Sequence, residues 1–164
     1  MNEAETRAEL IDPILRELGW ISEDNVKVSR EFKINNGRIL TGGRNADPKI
    51  ADYLLTVNDQ DLAVIEAKSD EKPLSEGVSQ AKQYAQLLQT RFTYSTNGKE
   101  ILQIDMKTGK EEKIHNYPTP ERLWDMVHGN ITDWEGKDLN INSKGKIIAS
   151  MSMNHHKKLI KFLK

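Results

Sequence analysis

Several residue types and patterns are missing from this sequence, and each absence excludes a class of protein. Cysteine is absent, which excludes a disulfide framework, a thiolate nucleophile and any cysteine-ligated zinc or iron–sulfur site. No apolar run approaches the ~20 residues that a membrane-spanning helix needs. The first residues also lack the basic start and apolar middle of a secretory signal. The sequence therefore predicts a cytoplasmic protein with no membrane partner.

An excess of charge of one sign is also missing. The 24 lysines and arginines nearly balance the 25 aspartates and glutamates, so the formal net charge is −1. A nearly neutral chain gives no sign of a protein that binds nucleic acid tightly by itself. The 164 residues, of which 37% are hydrophobic, fit one ordinary folded core.

The patterns that are present alternate between the periods of helices and strands. Pro13 lies inside the first helical pattern and predicts a kink or a division there, and Gly19 is a candidate C-cap. We predict helices over residues 4–18, 75–89 and 120–127, and strands over residues 26–34 (in a hairpin that extends to 40), 50–57, 62–68, 92–95, 101–106 and 113–115. This series favours an α/β fold. Residues 1–129 would form the domain, and residues 130–164 a polar linker and a basic C-terminal segment.

Three charged residues, Asp52, Glu66 and Lys68, interrupt the two most apolar strand patterns. Burying charges there costs several kcal/mol unless they are paired or bound to a metal. Glu66 and Lys68 are two residues apart and leave the same face of a strand.

The length of the hairpin loop decides whether Asp52 joins Glu66 and Lys68. A three-residue loop pairs Val57 with Asp61 and brings Asp52 opposite Glu66, with Cβ atoms about 4.5 to 5.5 Å apart. A four-residue loop would pair Asp52 with Ala67 and turn its side chain to the other face. The hypothesis of a shared site therefore needs the first register, or a bulge that restores it.

Two carboxylates at that distance repel each other unless a cation lies between them. Oxygen ligands without cysteine suit Mg²⁺, and Mn²⁺ could replace it. With a neighbouring lysine, this set of groups is typical of metal-assisted phosphodiester hydrolysis. The alternative is a structural Glu66–Lys68 ion pair with Asp52 as a turn or cap residue.

Gln80 and Tyr84 are four residues apart on the predicted helix that follows, and hence on one face. They lie beside the apolar stripe of that helix, which we predict to be buried and to consist of Val78, Ala81, Ala85 and Leu88.

The sequence also resembles a known family in a series of motifs that follow the family order and cover roughly residues 3–127. These motifs are Glu5-Thr6-Arg7, Ile11-Asp12, Leu18-Gly19-Trp20, Ala51-Asp52-Tyr53, Ile65-Glu66-Ala67-Lys68, Gln80-x-x-x-Tyr84, Thr96-Asn97-Gly98 and Tyr117-Pro118-x-Pro120-Glu121. They resemble the PD-(D/E)XK nuclease superfamily and, within it, the N-terminal nuclease domain of the R (restriction and motor) subunit of type I restriction enzymes. One departure is Ala51, where the superfamily name has proline.

The resemblance implies a restriction-endonuclease-like α/β fold, with a mixed central β-sheet flanked by helices, and a role for each matching residue. Asp52 and Glu66, with the carbonyl of Ala67, would bind Mg²⁺, and Lys68 would position the water and the scissile phosphate. Gln80 and Tyr84 would support the active site and contact the DNA backbone. An acidic residue of the first helix often completes such a metal site, and Glu5 is the candidate. Asn2 and Glu5 fit a capping box equally well.

The resemblance also implies partners. The chain would be the type I site-specific deoxyribonuclease module of an R subunit. It would act on double-stranded DNA together with methyltransferase and specificity subunits. The sequence has no Gly-x-x-x-x-Gly-Lys-[Ser/Thr] phosphate loop, so ATP would act only through a motor domain absent from this chain. The competing hypothesis is a catalytically inactive domain that docks onto a methyltransferase or motor partner.

Overall fold

The computed structural model describes residues 1–21, 24–34, 39–40, 44–45 and 48–128. The chain divides into two units, Met1–Tyr117 and Pro118–Lys164, and the described part of the second unit is residues 118–128. The predicted boundary between residues 129 and 130, and the predicted linker and basic segment, lie outside the described residues. Within the described part, no helix has the length and apolar character needed to cross a bilayer.

A six-stranded sheet forms the centre of the first unit, and its strand order is β1-β4-β5-β6-β7-β8. Its strands are β1 Val26–Ile34, β4 Lys49–Val57, β5 Gln60–Ala67, β6 Phe92–Thr96, β7 Ile101–Asp105 and β8 Glu111–Ile114. Only β5 and β6 run parallel, and the other neighbours are antiparallel. The predicted mixed sheet is therefore confirmed.

The pairing of β1 differs from the prediction of a hairpin over residues 26–40. β1 pairs along its length with β4, from Val26 opposite Val57 to Ile34 opposite Lys49. The short strands β2 Ile39–Leu40 and β3 Arg44–Asn45 pair with each other instead. Pairing with β4 gives β1 a ladder of eight residue pairs against a largely buried strand, whereas β2 has only two residues to pair.

The N-terminal helical region has three parts: α1 Glu3–Thr6, a π-helical segment Arg7–Ile11, and α2 Asp12–Glu17. The second division lies between Ile11 and Asp12, one residue before Pro13, and agrees with the predicted split at this proline, which cannot donate the next helical hydrogen bond. Gly19 ends the region with φ of +88°. Its N–H bonds the carbonyl of Arg16, and the N–H of Trp20 bonds that of Leu15, which is a Schellman motif.

Helix α3 Ser75–Leu88 connects the parallel strands β5 and β6 and packs on both. The hydroxyl of Thr93 in β6 donates to the carbonyls of Val64 and Ala81, and that of Ser95 to the carbonyl of Leu74. These bonds fix the helix on the face of the sheet that carries the charged residues of β5.

Helix α4 Pro120–His128 belongs to the second unit. The hydroxyl oxygen of Thr119 accepts a hydrogen bond from the backbone N–H of Arg122 at 3.2 Å, which is the predicted N-cap arrangement.

Candidate active site

The register of the β4–β5 hairpin brings Asp52 opposite Glu66. Tyr53 pairs with Ile65 and Leu54 with Val64, so continuing the ladder by one residue sets Asp52 against Glu66. The predicted three-residue loop is wrong, because Val57 pairs with Gln60 across a two-residue turn.

A β-bulge corrects for the short turn. The turn residues Asn58 and Asp59 have φ of +49° and +61°, as the tightest hairpin turns require. Between Leu55 and Thr56 the register shifts by one, since Leu55 pairs with Ala63 and Thr56 with Asp61. Without this bulge the turn would place Asp52 opposite Ile65, on the wrong face. The structure thus meets the predicted condition through the bulge.

The Asp52 carboxylate is held by donors on both oxygens. Its Oδ2 accepts a hydrogen bond from the backbone N–H of Ala67 at 2.7 Å. Its Oδ1 forms a very close ion pair with a terminal guanidinium nitrogen of Arg7. Asp52 is therefore fixed between the first helical region and the end of β5.

Glu66 has one occupied and one unpartnered oxygen. Its Oε1 accepts a hydrogen bond from Lys68 Nζ at 2.8 Å. Its Oε2 is buried without a hydrogen-bond partner in the described structure, and the residue is only 2% exposed. A buried carboxylate oxygen without a donor is costly, so it is a candidate ligand atom.

Lys68 connects Glu66 to helix α3. Its Nζ donates to Gln80 Oε1 at 3.0 Å, and Gln80 Nε2 donates to the Tyr84 hydroxyl at 2.8 Å. Gln80 and Tyr84 share a helix face, as predicted. The prediction that Tyr84 lies outside the buried stripe is wrong, because its ring packs in the core with Ala51 and Val64. A tyrosine can bury its ring and still present its hydroxyl at the edge of the core.

Burial and like charge dominate the electrostatics of the two carboxylates. Burial raises the pKa of Asp52, although the bond from Ala67 and the charge of Arg7 oppose this effect. Burial, followed by the charge of Asp52, raises the pKa of Glu66 to about 7. A cation between the two groups would relieve both effects.

Lys68 remains protonated in this environment. Burial alone would lower the pKa of Lys68, but the hydrogen bond to Glu66 and the charges of Glu66 and Glu3 raise it above its usual value. Lys68 is therefore a fixed positive charge beside the carboxylates rather than a ready proton acceptor.

The N-terminal residues contribute differently from expectation. Glu5 forms the capping box: its Oε2 accepts from the N–H of Asn2, whose Oδ1 accepts from the N–H of Glu5, both at 2.9 Å. Glu3 is the acidic residue that reaches the site, with Oε1 at 3.6 Å from Lys68 Nζ. A metal-binding role for Glu5 stays a prediction.

Arg7 and Gly77 are two site residues that the sequence interpretation missed. Arg7 contacts Asp52 and follows Glu3 by four residues, so a charged helix face at this spacing was the available signal. A Cβ on Gly77 would lie 2.6 Å from Ser95 Oγ and 3.4 Å from Lys68 Cγ. Glycine therefore lets α3 approach the end of β5 closely, and nothing in the sequence around Gly77 signals this role.

The donor set fits a hard divalent cation. Asp52 and Glu66 supply carboxylate oxygens, one of them unpartnered, and the carbonyl of Ala67 as a third ligand stays a prediction. Among the described residues, no group of three or more His, Cys, Asp or Glu side chains is arranged to hold a metal. Two carboxylates with backbone and water oxygens suffice for Mg²⁺, which keeps much of its hydration.

Three comparisons with known proteins give consistent results. The family model described as type I restriction enzyme R protein N terminus matches residues 21–112. The endonuclease subunit of the type I restriction enzyme EcoAI from Escherichia coli is 28% identical in an alignment of 134 positions that covers 76% of this chain and 16% of that protein. A solved fragment of a protein assigned as a type I HsdR subunit from Vibrio vulnificus YJ016 is 38% identical. It matches with a TM-score of 0.71 over 79% of this chain and 26% of that chain.

The mixed sheet, its flanking helices and the solved relative define a restriction-endonuclease-like α/β fold, as predicted. Within that class, the chain belongs to the family of N-terminal regions of type I restriction enzyme R subunits. The resemblance seen in the sequence is therefore confirmed. The chain spans only 16% of the curated relative, so the activity of such a whole protein is considered below as a proposal.

Proposed function

We propose that this chain is the Mg²⁺-dependent nuclease module of a type I restriction enzyme R subunit and hydrolyses phosphodiester bonds of duplex DNA. The observation that carries the proposal is the unpartnered, buried Glu66 Oε2 beside Asp52 and Lys68. A buried carboxylate oxygen without a donor is rare in proteins, and a bound cation would supply the missing partner.

Asp52 and Glu66 are the residues that would hold the cation, with Mn²⁺ as a substitute for Mg²⁺. A divalent cation bound there would polarise the phosphoryl group and lower the pKa of the attacking water. The two strands hold the carboxylates together before the cation arrives, so little rearrangement is needed.

Lys68 would orient the water and the scissile phosphate. Its ammonium group is positioned from two sides, by Glu66 and by Gln80, and the Tyr84 hydroxyl fixes Gln80. A positioned positive charge in a partly buried site stabilises the charge that develops on a phosphoryl oxygen. Gln80 and Tyr84 would thus act chiefly by holding Lys68 in place.

The partners follow from the family. Double-stranded DNA would be the substrate, and the methyltransferase and specificity subunits of a type I complex would select where it is cut. ATP would be used by a motor domain outside this chain. The near-neutral charge of the chain fits a module that its partners bring to DNA.

The test is cleavage of supercoiled plasmid by a reconstituted type I complex that contains this chain, with Mg²⁺ and ATP. We expect Lys68→Ala to abolish cleavage without changing the circular dichroism spectrum. Lys82→Ala is the matched control, since Lys82 forms an exposed ion pair with Glu111, and should cut like wild type. Full cleavage by Lys68→Ala would contradict the proposal and favour the inactive docking domain.

A further inference from the structure

Arg7 has contacts that the proposed reaction does not explain. Its guanidinium group bonds Oδ1 of Asp52 with one terminal nitrogen and Oε1 of Glu31 with the other, the second at 3.1 Å. The Arg7 side chain is 13% exposed, and its Nε is buried without a hydrogen-bond partner in the described structure. An arginine is therefore inserted beside a carboxylate that is expected to bind a cation.

A π-helical turn and β4 fix this position together. Arg7 begins the π-helical segment, and the N–H of Asp12 donates to its carbonyl. The hydroxyl of Tyr53, next to Asp52 in β4, lies 3.4 Å from the same carbonyl and donates to Asp12 Oδ1 at 2.7 Å. Single π-turns are frequent at functional sites. The backbone of Arg7 is thus tied to the strand whose carboxylate it binds.

Glu31 gives Arg7 a second anion, and that anion is outside the buried site. Its position in β1 lies opposite Asp52, between the pairs Arg30–Tyr53 and Phe32–Ala51. Its φ of +50° is strained for a residue with a side chain. The side chain of Glu31 is 67% exposed, against 11% for Asp52. Arg7 therefore bridges one carboxylate in solvent and one in the site.

We propose that Arg7 and the divalent cation are alternative partners of Asp52. In the cation-free protein the guanidinium group neutralises Asp52. When a cation binds to Asp52 and Glu66, Arg7 gives up Oδ1 and keeps its contact with Glu31. The inference rests on the proposed function, because it needs a cation at these two carboxylates.

Two observations support an exchange of Arg7 for the cation at Asp52: the partners that each carboxylate oxygen already has, and the repulsion between two positive charges. Asp52 has a donor on each oxygen, and Glu66 Oε2 has none, so the cation can use Glu66 directly but meets a bound guanidinium on Asp52. Two positive groups a few ångströms apart repel each other strongly in a partly buried site. Arg7 must therefore weaken cation binding, and by linkage the cation must weaken the hold of Asp52 on Arg7.

In the proposed reaction, the released guanidinium group of Arg7 would bind a phosphate of the DNA. Arginine binds phosphate oxygens through two parallel hydrogen bonds more readily than lysine does. Arg7 would then be a positioning residue that contacts DNA only when the cation is bound.

The first measurement is the Mn²⁺ dissociation constant of the whole chain without DNA, from the electron paramagnetic resonance signal of free Mn²⁺. It is made near pH 8, above the pKa of about 7 of Glu66. We expect Arg7→Gln to bind Mn²⁺ more tightly by about 5- to 150-fold, the usual range of such couplings. Arg7→Lys, which keeps a charge but not the paired geometry, should give a smaller gain and also serves if Arg7→Gln does not fold.

Two further variants separate the possible outcomes. Arg91→Gln is the matched control, because Arg91 pairs with Asp105 at the other end of β6, and its Mn²⁺ affinity should equal that of wild type. Glu66→Gln should no longer bind Mn²⁺ at this site. Unchanged or weaker Mn²⁺ binding by both Arg7 variants would overturn the exchange while leaving the nuclease proposal intact. Wild-type affinity in Glu66→Gln would instead overturn the nuclease site.

The second measurement is the affinity for a fluorescent duplex oligonucleotide, with Ca²⁺ or with a chelator. In wild type, Ca²⁺ should increase the affinity for the duplex, and in Arg7→Gln this increase should be at least about fivefold smaller. An equal increase in both proteins would overturn the phosphate contact.

Discussion

Two aspartates of the sheet, Asp52 and Asp105, each form an ion pair with an arginine, and the pKa values of these aspartates shift in opposite directions. Arg91 bonds both carboxylate oxygens of Asp105, at 3.1 and 2.9 Å, and the bond lowers the pKa of that aspartate. Arg7 also bonds Asp52, yet burial raises the pKa of Asp52 above its ordinary value. The arginine alone therefore does not decide how stable the charged carboxylate is.

Burial and a second acid make the difference. Asp105 has its charge satisfied by Arg91 and by the N–H of Lys107. Asp52 shares a buried region with Glu66, whose own pKa is raised partly by Asp52. The Arg91–Asp105 pair therefore stabilises the fold. The buried carboxylates Asp52 and Glu66 instead carry charge at a cost to stability, as functional sites commonly do. Three experiments would break or sharpen this contrast.

The largest expected effect is on cleavage. Asp52→Asn keeps the shape of the side chain but removes a carboxylate that we propose as a ligand of the cation, so the reconstituted complex should lose at least about a thousandfold in plasmid cleavage, since metal polarisation contributes several kcal/mol. Asp105→Asn should retain cleavage and lose stability instead. The contrast between the pairs would fail if both variants lost cleavage to the same extent while remaining folded.

The second effect is on the pH dependence of stability. The folded protein holds the Glu66 proton more tightly than the unfolded chain, so stability falls as pH rises from about 4.5 to about 7. Without metal at pH 8, Glu66→Gln should therefore raise the free energy of unfolding, by as much as about 3 kcal/mol for a shift of this size. The gain should disappear near pH 5.

Urea unfolding at several pH values measures the difference in the free energy of unfolding between wild type and Glu66→Gln. Asp105→Asn supplies the opposite sign, because the lowered pKa of Asp105 gives stability that is present above its ordinary pKa and lost as the pH falls through the folded value. A stabilising effect of Glu66→Gln that persisted unchanged at pH 5 would contradict the raised pKa.

The smallest expected effect is on the packing of α3 against β6. This packing encloses the region of Asp52 and Glu66 but not the Arg91–Asp105 pair. Gly77→Ala would place a methyl group 2.6 Å from Ser95 Oγ, so we expect a loss of about 1–3 kcal/mol from overpacking. In a Ser95→Ala background the clash is removed, and the same change should cost less or become stabilising, because alanine is the better helix former. Thermal unfolding of the four proteins measures the coupling, and purely additive effects would show that α3 does not need glycine there.

Much of the site could be predicted from local spacing. The period of two places Glu66 and Lys68 on one strand face, and the period of four places Gln80 and Tyr84 on one helix face. The hydrogen bonds from Lys68 to Glu66 and from Gln80 to Tyr84 agree with these two groupings. The positions of α3 and of strands β4 to β7 were also predictable from their hydrophobic patterns, whereas β8 begins two residues before the strand predicted over residues 113–115.

The pairing of Asp52 with Glu66 could be predicted only on the condition that the hairpin had a suitable loop length or a bulge. The turn at Asn58–Asp59 alone gives the wrong register, and a bulge near Leu55 corrects it. A bulge shifts a register by one residue and has no distinct sequence pattern. The sequence could therefore show that Asp52 must lie opposite Glu66, but not that a bulge brings it there.

The sequence by itself determined which residues have the chemistry of the site and which of them share a face, because strand and helix periods act over a few neighbouring residues. The tertiary structure decided which distant groups meet: Arg7 with Asp52, Glu3 rather than Glu5 with Lys68, and Gly77 with Ser95. These contacts join separate elements, and their distances depend on how a helix packs against the sheet. The raised pKa of Glu66 has the same origin, because burial and a neighbouring carboxylate exist only in the folded chain.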